Sequence, residues 1–408
     1  MSDRAPGNPR VRRYASSPFV ELAREKAAIE AGGRSVIDLS IGDPREVTPA
    51  FIVEALRHGL PERSSYPTVI GRPSLRAAIA GWFERRFRVA LDPETQILPA
   101  NGSKEAVFNI HLALVDPDGP RRRVVIPTPA YMIYERAAAL AGGEPTLLPL
   151  AEENGFRPDF DAVPASVWDE TAILWLNYPH NPTGATATRA LYEKALALAR
   201  RHGFVVASDE AYSELWFETP PPSLLEAGVE RALVFQTLSK RSAMTGFRTG
   251  FVAGDPELVQ LFRALRPNLG VATPEFVQRA AEAAWNDDEH VHALRAVFAA
   301  KRAEALAFFD GAPRRAGYRV VPNTATFYLW VAVPRGQTSP AVARRWLEDA
   351  GVLVVPGEAL GAGGEGYLRV ALVPTLDECR EAWRRLEAFL GATHATPTRT
   401  ATPTESGR

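Results

Sequence analysis

Between residues 122 and 253 of this 408-residue chain, short apolar runs alternate with longer stretches of helical spacing, and that alternation constrains the fold most. The runs are Val124-Val-Ile126, Ala172-Ile-Leu-Trp-Leu176, Phe204-Val-Val-Ala207, Ala232-Leu-Val-Phe235 and Gly250-Phe-Val-Ala253. Stretches 130–141 and 187–201 between them have helical spacing. Unbroken apolar runs of strand length suit a sheet covered on both faces, and parallel strands need crossover connections such as helices. The pattern therefore predicts βαβ units and a mainly parallel sheet.

Polar residues stand where these runs end or begin. Asn181-Pro-Thr-Gly184 follows one run, and Asp209 closes another and heads Asp209-Glu-Ala-Tyr212. Lys240 follows a third through Gln236-Thr-Leu-Ser239, and Arg248 precedes the last. In an open α/β sheet such ends converge on one edge, where ligands bind. Asn101-Gly-Ser-Lys104 leads into helical stretch 103–115, and a helix N-terminus offers free N–H groups to a phosphate. Taken singly, that motif is equally an ordinary N-cap, Asp209 a helix cap and a tyrosine a core residue. Taken together they suit one chemistry. A lysine that holds pyridoxal phosphate covalently needs an anion at the pyridine nitrogen, hydrogen bonds to the ring oxygen and a phosphate cradle.

From Ser40-Ile-Gly-Asp-Pro44 to Tyr367-Leu-Arg-Val370, the chain resembles the fold-type I pyridoxal-phosphate aminotransferases of class I/II, over roughly residues 15 to 390. Within that family it is most similar to the N-succinyldiaminopimelate aminotransferases of bacterial lysine biosynthesis. Leu91-Asp-Pro-Glu-Thr-Gln96, Gly155-Phe-Arg-Pro-Asp159 and Ala284-Trp-Asn-Asp-Asp288 carry that closer match.

The resemblance implies an α/β fold, with a large domain built on a mainly parallel seven-stranded sheet flanked by helices and a smaller α+β domain. It implies that Lys240 holds the cofactor and moves the proton, Asp209 pairs with the ring nitrogen, and Tyr212 and Asn181 hydrogen-bond the ring oxygen. Tyr131 would stack on the ring. The amides of Ser103 and Lys104, with Thr237 and Arg248, would hold the phosphate. Arg369, Gly42 and Asn181 would receive the substrate α-carboxylate. Tyr66, in Ser64-Ser-Tyr-Pro67, would reach the phosphate of a neighbouring subunit, which makes the active unit a homodimer. Glutamate is the implied donor and N-succinyl-2-amino-6-oxopimelate the acceptor, with Arg72 and Arg266 offered for the distal carboxylates. Other specificities of the same fold (aspartate, methionine or kynurenine), a pyridoxal-phosphate C–S lyase and an effector-sensing domain stay open.

Composition excludes other classes. A formal net charge of −1 gives no basic footprint for nucleic acid or an anionic membrane. Cys379 is the only cysteine, which excludes an internal disulfide and fits a reducing, cytoplasmic setting. No apolar run approaches the ~18 residues of a membrane span. Gly361-Ala-Gly-Gly-Glu-Gly366 spells the dinucleotide fingerprint but leads into strand-like residues, so it reads as a mobile loop. His290-Val-His292 sits on a helical stretch where i and i+2 do not share a face, so no metal is expected there. The expected organisation is an arm over 1–14, a small-domain segment over 15–48 and a cofactor domain over 49–287. A C-terminal domain over 288–391 and a disordered tail over 392–408 complete it.

Overall fold

The computed structural model describes residues 7–14, 17–63 and 65–394. Its main sheet has seven strands. Across the sheet they run Ile97–Ala100, Gly250–Gly254, Ala232–Thr237, Val205–Asp209, Thr171–Asn177, Arg123–Thr128 and Glu144–Pro149. Gly250–Gly254 is antiparallel to both its neighbours, and the other pairings are parallel. The alternation in the sequence thus yields the sheet it predicts. Two strands, Ile97–Ala100 and Glu144–Pro149, were not among the runs. The first contains Pro99, and the second is a half-buried edge strand closed by Pro149, so neither carries a continuous apolar signal.

Both faces of the sheet are covered. Val125, Leu174, Val206 and Val234 pack on one side with Trp82, Phe83 and Trp285, while Val124, Ile173, Trp175 and Phe235 pack on the other with Val107, Ile110 and Tyr134. Register aligns the strand ends: Asn177 lies beside Asp209, Asp209 beside Phe235, and Thr237 beside Gly250, which in turn neighbours Ala100. The polar residues that follow these positions therefore emerge along one edge.

A second, four-stranded sheet is antiparallel and centres on Tyr328–Ala332 paired with Tyr367–Ala371. The N-terminal segment joins this part of the molecule, because Ile37–Asp38 pairs in parallel with Val352–Leu353. Helix Glu275–Asn286 packs on Ala50–His58 and Pro73–Phe87, whereas Glu289–Phe309 packs on the closing helix Leu376–His394. We propose the break at 287–288 as the domain boundary for that reason. The expected arm contains a short helix, Pro9–Arg13, and residues 1–6 and 395–408 lie outside the described residues. Among the described residues no helix is long and apolar enough to cross a membrane.

Candidate active site

A cavity of about 300 Å³ opens at the common edge of the strand ends. Lys240 reaches it from the four-residue helix Leu238–Arg241, which starts where strand Ala232–Thr237 stops. Thr237 caps that helix by accepting from the Ser239 N–H at 3.1 Å. The Lys240 Nζ donates to the Gly42 carbonyl. Burial pulls Lys240 down to about 8, partly offset by nearby Asp43.

Asp209 ends its strand inside the same cavity and is 6% exposed. Its carboxylate accepts from the Tyr134 hydroxyl at 2.9 Å and the Ala211 N–H at 3.2 Å, both neutral donors. Burial pushes it up to about 6, against the lowering effect of those hydrogen bonds. Tyr131 forms part of the wall, edge-on to Tyr134 at 5.9 Å. The Tyr212 and Tyr328 hydroxyls lie 3.1 Å apart.

The phosphate end follows from helix Ser103–Leu114. Its N-cap, Gly102, supplies no side-chain cap, so the first turn keeps donors for a ligand. Gly102 has φ +82° and lies against Arg248, whose guanidinium would be 2.5 Å from an added Cβ. Only glycine fits both demands. Arg248 itself holds a left-handed backbone at φ +51°, a strained conformation for a residue with a side chain.

The opposite end belongs to the small sheet. Arg369, on strand Tyr367–Ala371, is 4% exposed. It donates to Asn181 Oδ1 at 3.0 Å and to the Ser40 carbonyl at 2.7 Å, and lies over the Tyr328 ring at 4.5 Å. Among the described residues its buried Nε has no hydrogen-bond partner. Gly42 lies beneath Tyr328: an added Cβ would meet that hydroxyl at 1.9 Å.

All the residues expected to hold the cofactor or the α-carboxylate, except Tyr66, line this cavity. Tyr66 stands away from it, 93% exposed. Arg72 and Arg266 are not among the lining residues. Arg266 is buried and donates to the Pro99 and Val271 carbonyls, while Arg72 pairs with Glu275. The structure brings neither to the cavity where distal carboxylates were expected; Arg266 instead ties strand Ile97–Ala100 to the loop at Val271. Asn177, Tyr134, Tyr328, Phe19 and Ile41 also line the cavity and were missed. Asn177 was legible by the rule that found Asp209, since it follows an apolar run directly. Its side chain donates to the Asp209 carbonyl at 2.8 Å and accepts from the Asn181 N–H at 3.0 Å. Tyr328, Phe19 and Ile41 arrive through long-range packing and carry no local signal. The glycine-rich stretch 361–366 leads into strand Tyr367–Ala371, as expected, but it is tied down where Thr128 donates to the Ala362 carbonyl at 3.0 Å. His290 makes its contacts within the protein, with Ser242 Oγ at 2.8 Å and with Asp287.

These donors fit pyridoxal phosphate by chemistry. A buried carboxylate with neutral partners suits a protonated ring nitrogen, a lysine with depressed pKa suits a carbonyl carbon, and uncapped helix amides beside an arginine suit a dianionic phosphate. Fold and cavity define a fold-type I enzyme dependent on that cofactor. Residues 34–386 match the family described as aminotransferase class I and II. An LL-diaminopimelate aminotransferase of Aquifex aeolicus is 38% identical over 375 residues, covering 90% of this chain and 95% of that one. Among solved structures, substrate-bound BacF from Bacillus subtilis superposes with a TM-score of 0.89 at 30% identity, over 94% of this chain and 98% of its own. A probable N-succinyldiaminopimelate aminotransferase from Thermus thermophilus gives 0.83 at 32% identity, over 91% and 99%. The chain belongs to the class I and II aminotransferases. Its cofactor is pyridoxal 5'-phosphate, and its substrate classes are amino acids and 2-oxo acids.

Proposed function

We propose that this aminotransferase exchanges an amino group between glutamate and a substrate built on the diaminopimelate skeleton. The observation that carries the reading is the convergence of Lys240, Asp209 and Arg369 on one cavity from three separate elements. In this proposal Arg369 and Asn181, beside Gly42, grip the α-carboxylate, which sets the substrate's Cα against Lys240. With its pKa near 8, Lys240 is partly unprotonated at neutral pH and can take the Cα proton and return it. Bound pyridoxal phosphate supplies the electron sink for the pair left at Cα. With the cofactor bound, Asp209 would keep the ring nitrogen protonated, Tyr212 and Asn181 would donate to the ring oxygen, and Tyr131 would cover the ring face. Ser103, Lys104, Thr237 and Arg248 would hold the phosphate.

The names of the curated relatives support LL-diaminopimelate itself as the amino donor. The Thermus structure supports a second reading, in which the substrate is N-succinylated. The engagement of Arg72 and Arg266 elsewhere favours the first, since among the described lining residues the cations are Lys104, Lys240, Arg248 and Arg369. A side-by-side assay with 2-oxoglutarate should give LL-diaminopimelate the highest kcat/KM. Preference for aspartate, methionine or kynurenine would reject the skeleton and leave the family intact. Lys240→Ala should lose turnover by about a hundredfold or more while still binding cofactor. The exposed Tyr66 belongs to the proposal as a residue that serves a second copy of the chain; a fully active monomer by light scattering would remove it.

A further inference from the structure

Tyr134 has no place in the cofactor roles assigned above, yet its hydroxyl donates to Asp209 Oδ2 at 2.9 Å. The side chain is 2% exposed and fixed on two sides. Its ring stacks on Trp175, with centroids 4.8 Å apart and planes 19° apart, and meets Tyr131 edge-on at 5.9 Å. Trp175 is fixed in turn, because its indole N–H donates to His111 Nε2 at 3.0 Å. Since an indole can only donate, His111 Nε2 is the acceptor, and a neutral ring carries its proton on Nδ1. Nδ1 lies 2.9 Å from the Val107 carbonyl, which accepts that proton. Burial drives His111 down to about 4, so this tautomer persists at neutral pH. A chain of contacts thus runs from helix Ser103–Leu114 through strand Thr171–Asn177 to the hydroxyl that meets Asp209.

We propose that Tyr134 is a positioning residue for the amino-transfer step, holding the Asp209 carboxylate in one orientation, with His111 and Trp175 as its brace. Tyr134 and the Ala211 N–H each occupy one carboxylate oxygen with a neutral donor. Neither cancels the negative charge, so it stays available to a cation in the cavity, and the carboxylate cannot rotate without losing both. Charged neighbours are few: Lys240 is the charged residue whose field bears on Asp209, and Tyr131 and Tyr212 flank Tyr134 as neutral phenols. The inference rests on the reading of Asp209 as the partner of the ring nitrogen.

Tyr134→Phe removes the hydroxyl and keeps the ring. It should lower kcat about tenfold, as expected for one lost hydrogen bond to a charged group, with KM for glutamate changed by less than about twofold. Reconstitution of the cofactor-free protein with pyridoxal phosphate, followed by fluorescence quenching, should show Kd weakened by a similar factor. The decisive comparison is made in an Asp209→Asn background, where adding Tyr134→Phe should change kcat and Kd by less than about twofold, because the negative charge it orients is gone. Trp175→Phe, which loses the bond to His111 but keeps an aromatic ring, should show a smaller loss of the same kind. Full additivity of Tyr134→Phe and Asp209→Asn, or wild-type kcat and Kd in Tyr134→Phe, would overturn the inference. Wild-type turnover in Asp209→Asn alone would instead overturn the role of Asp209 itself.

Discussion

The cluster around Arg241 and Glu214 and the cavity around Asp209 and Arg369 bury charge in opposite ways. In the cluster every buried ion meets its opposite. Arg241 pairs with Asp288 at 2.6 Å and lies over the Trp285 ring at 4.9 Å, and Glu214 receives Arg86 at 3.3 Å and Arg295 at 3.2 Å. In the cavity, Asp209 and Arg369 are just as buried, but among the described residues their hydrogen-bond partners are neutral. A buried ion pair consumes its field within the protein, whereas a buried ion held by neutral groups keeps its field for an incoming partner. The first arrangement builds structure and the second builds a binding site.

The largest effects should separate these two regions. Asp209→Asn should lower kcat by at least about a hundredfold, as for loss of a group acting only at the reacting centre, without reducing the stability of cofactor-free protein. Glu214→Gln should do the reverse, costing about 3 kcal/mol in urea denaturation, since it removes a buried charge from two half-buried arginines, while KM stays unchanged. Equal stability losses in both variants would erase the distinction. A smaller effect is expected at the substrate end. Arg369→Met should raise KM for amino donor and acceptor alike, by about ten- to a hundredfold, through the loss of charged hydrogen bonds. An increase for one substrate only would mean that the other is gripped elsewhere.

The smallest effect is on pH-dependent stability. Because burial raises the Asp209 pKa from 3.8 to about 6, folded protein binds a proton there that unfolded chain releases. Cofactor-free protein should therefore lose about 2 kcal/mol of stability as pH rises from 4 to 6, and Asp209→Asn should flatten that window. Lys240, lowered from 10.5 to about 8, works in the opposite sense: stability should be regained as pH rises from 8 to 10.5. Urea titrations at fixed pH values measure both slopes.

Much of the cavity was legible because strand ends announce themselves: an apolar run stops, and the next polar residue stands at the sheet edge. Asp209, Lys240 and Arg248 were found that way, and Asn177 obeys the same rule. Tyr134 left a fainter mark, standing three residues after Tyr131 at the start of a helix, where i and i+3 share a face. What stayed hidden was which charges would be paired. Nothing local distinguishes Arg241 from its neighbour Lys240, or Arg266 from an arginine facing the substrate. Pairing depends on Asp288, Glu214 and the Pro99 carbonyl, which come from distant parts of the chain.

Helix Ser103–Leu114 also serves as a measuring rod. Its first residues stand at the end of the cavity fitted to phosphate, and His111, eight residues on, begins the chain of contacts that ends at Asp209. Those eight residues span about 12 Å along the axis. One inserted residue between them would turn His111 by about 100° away from Trp175 while leaving the first turn in place. The rod sets one interval for two unlike jobs, so an insertion within it breaks their spacing, whereas one beyond Leu114 leaves the interval intact.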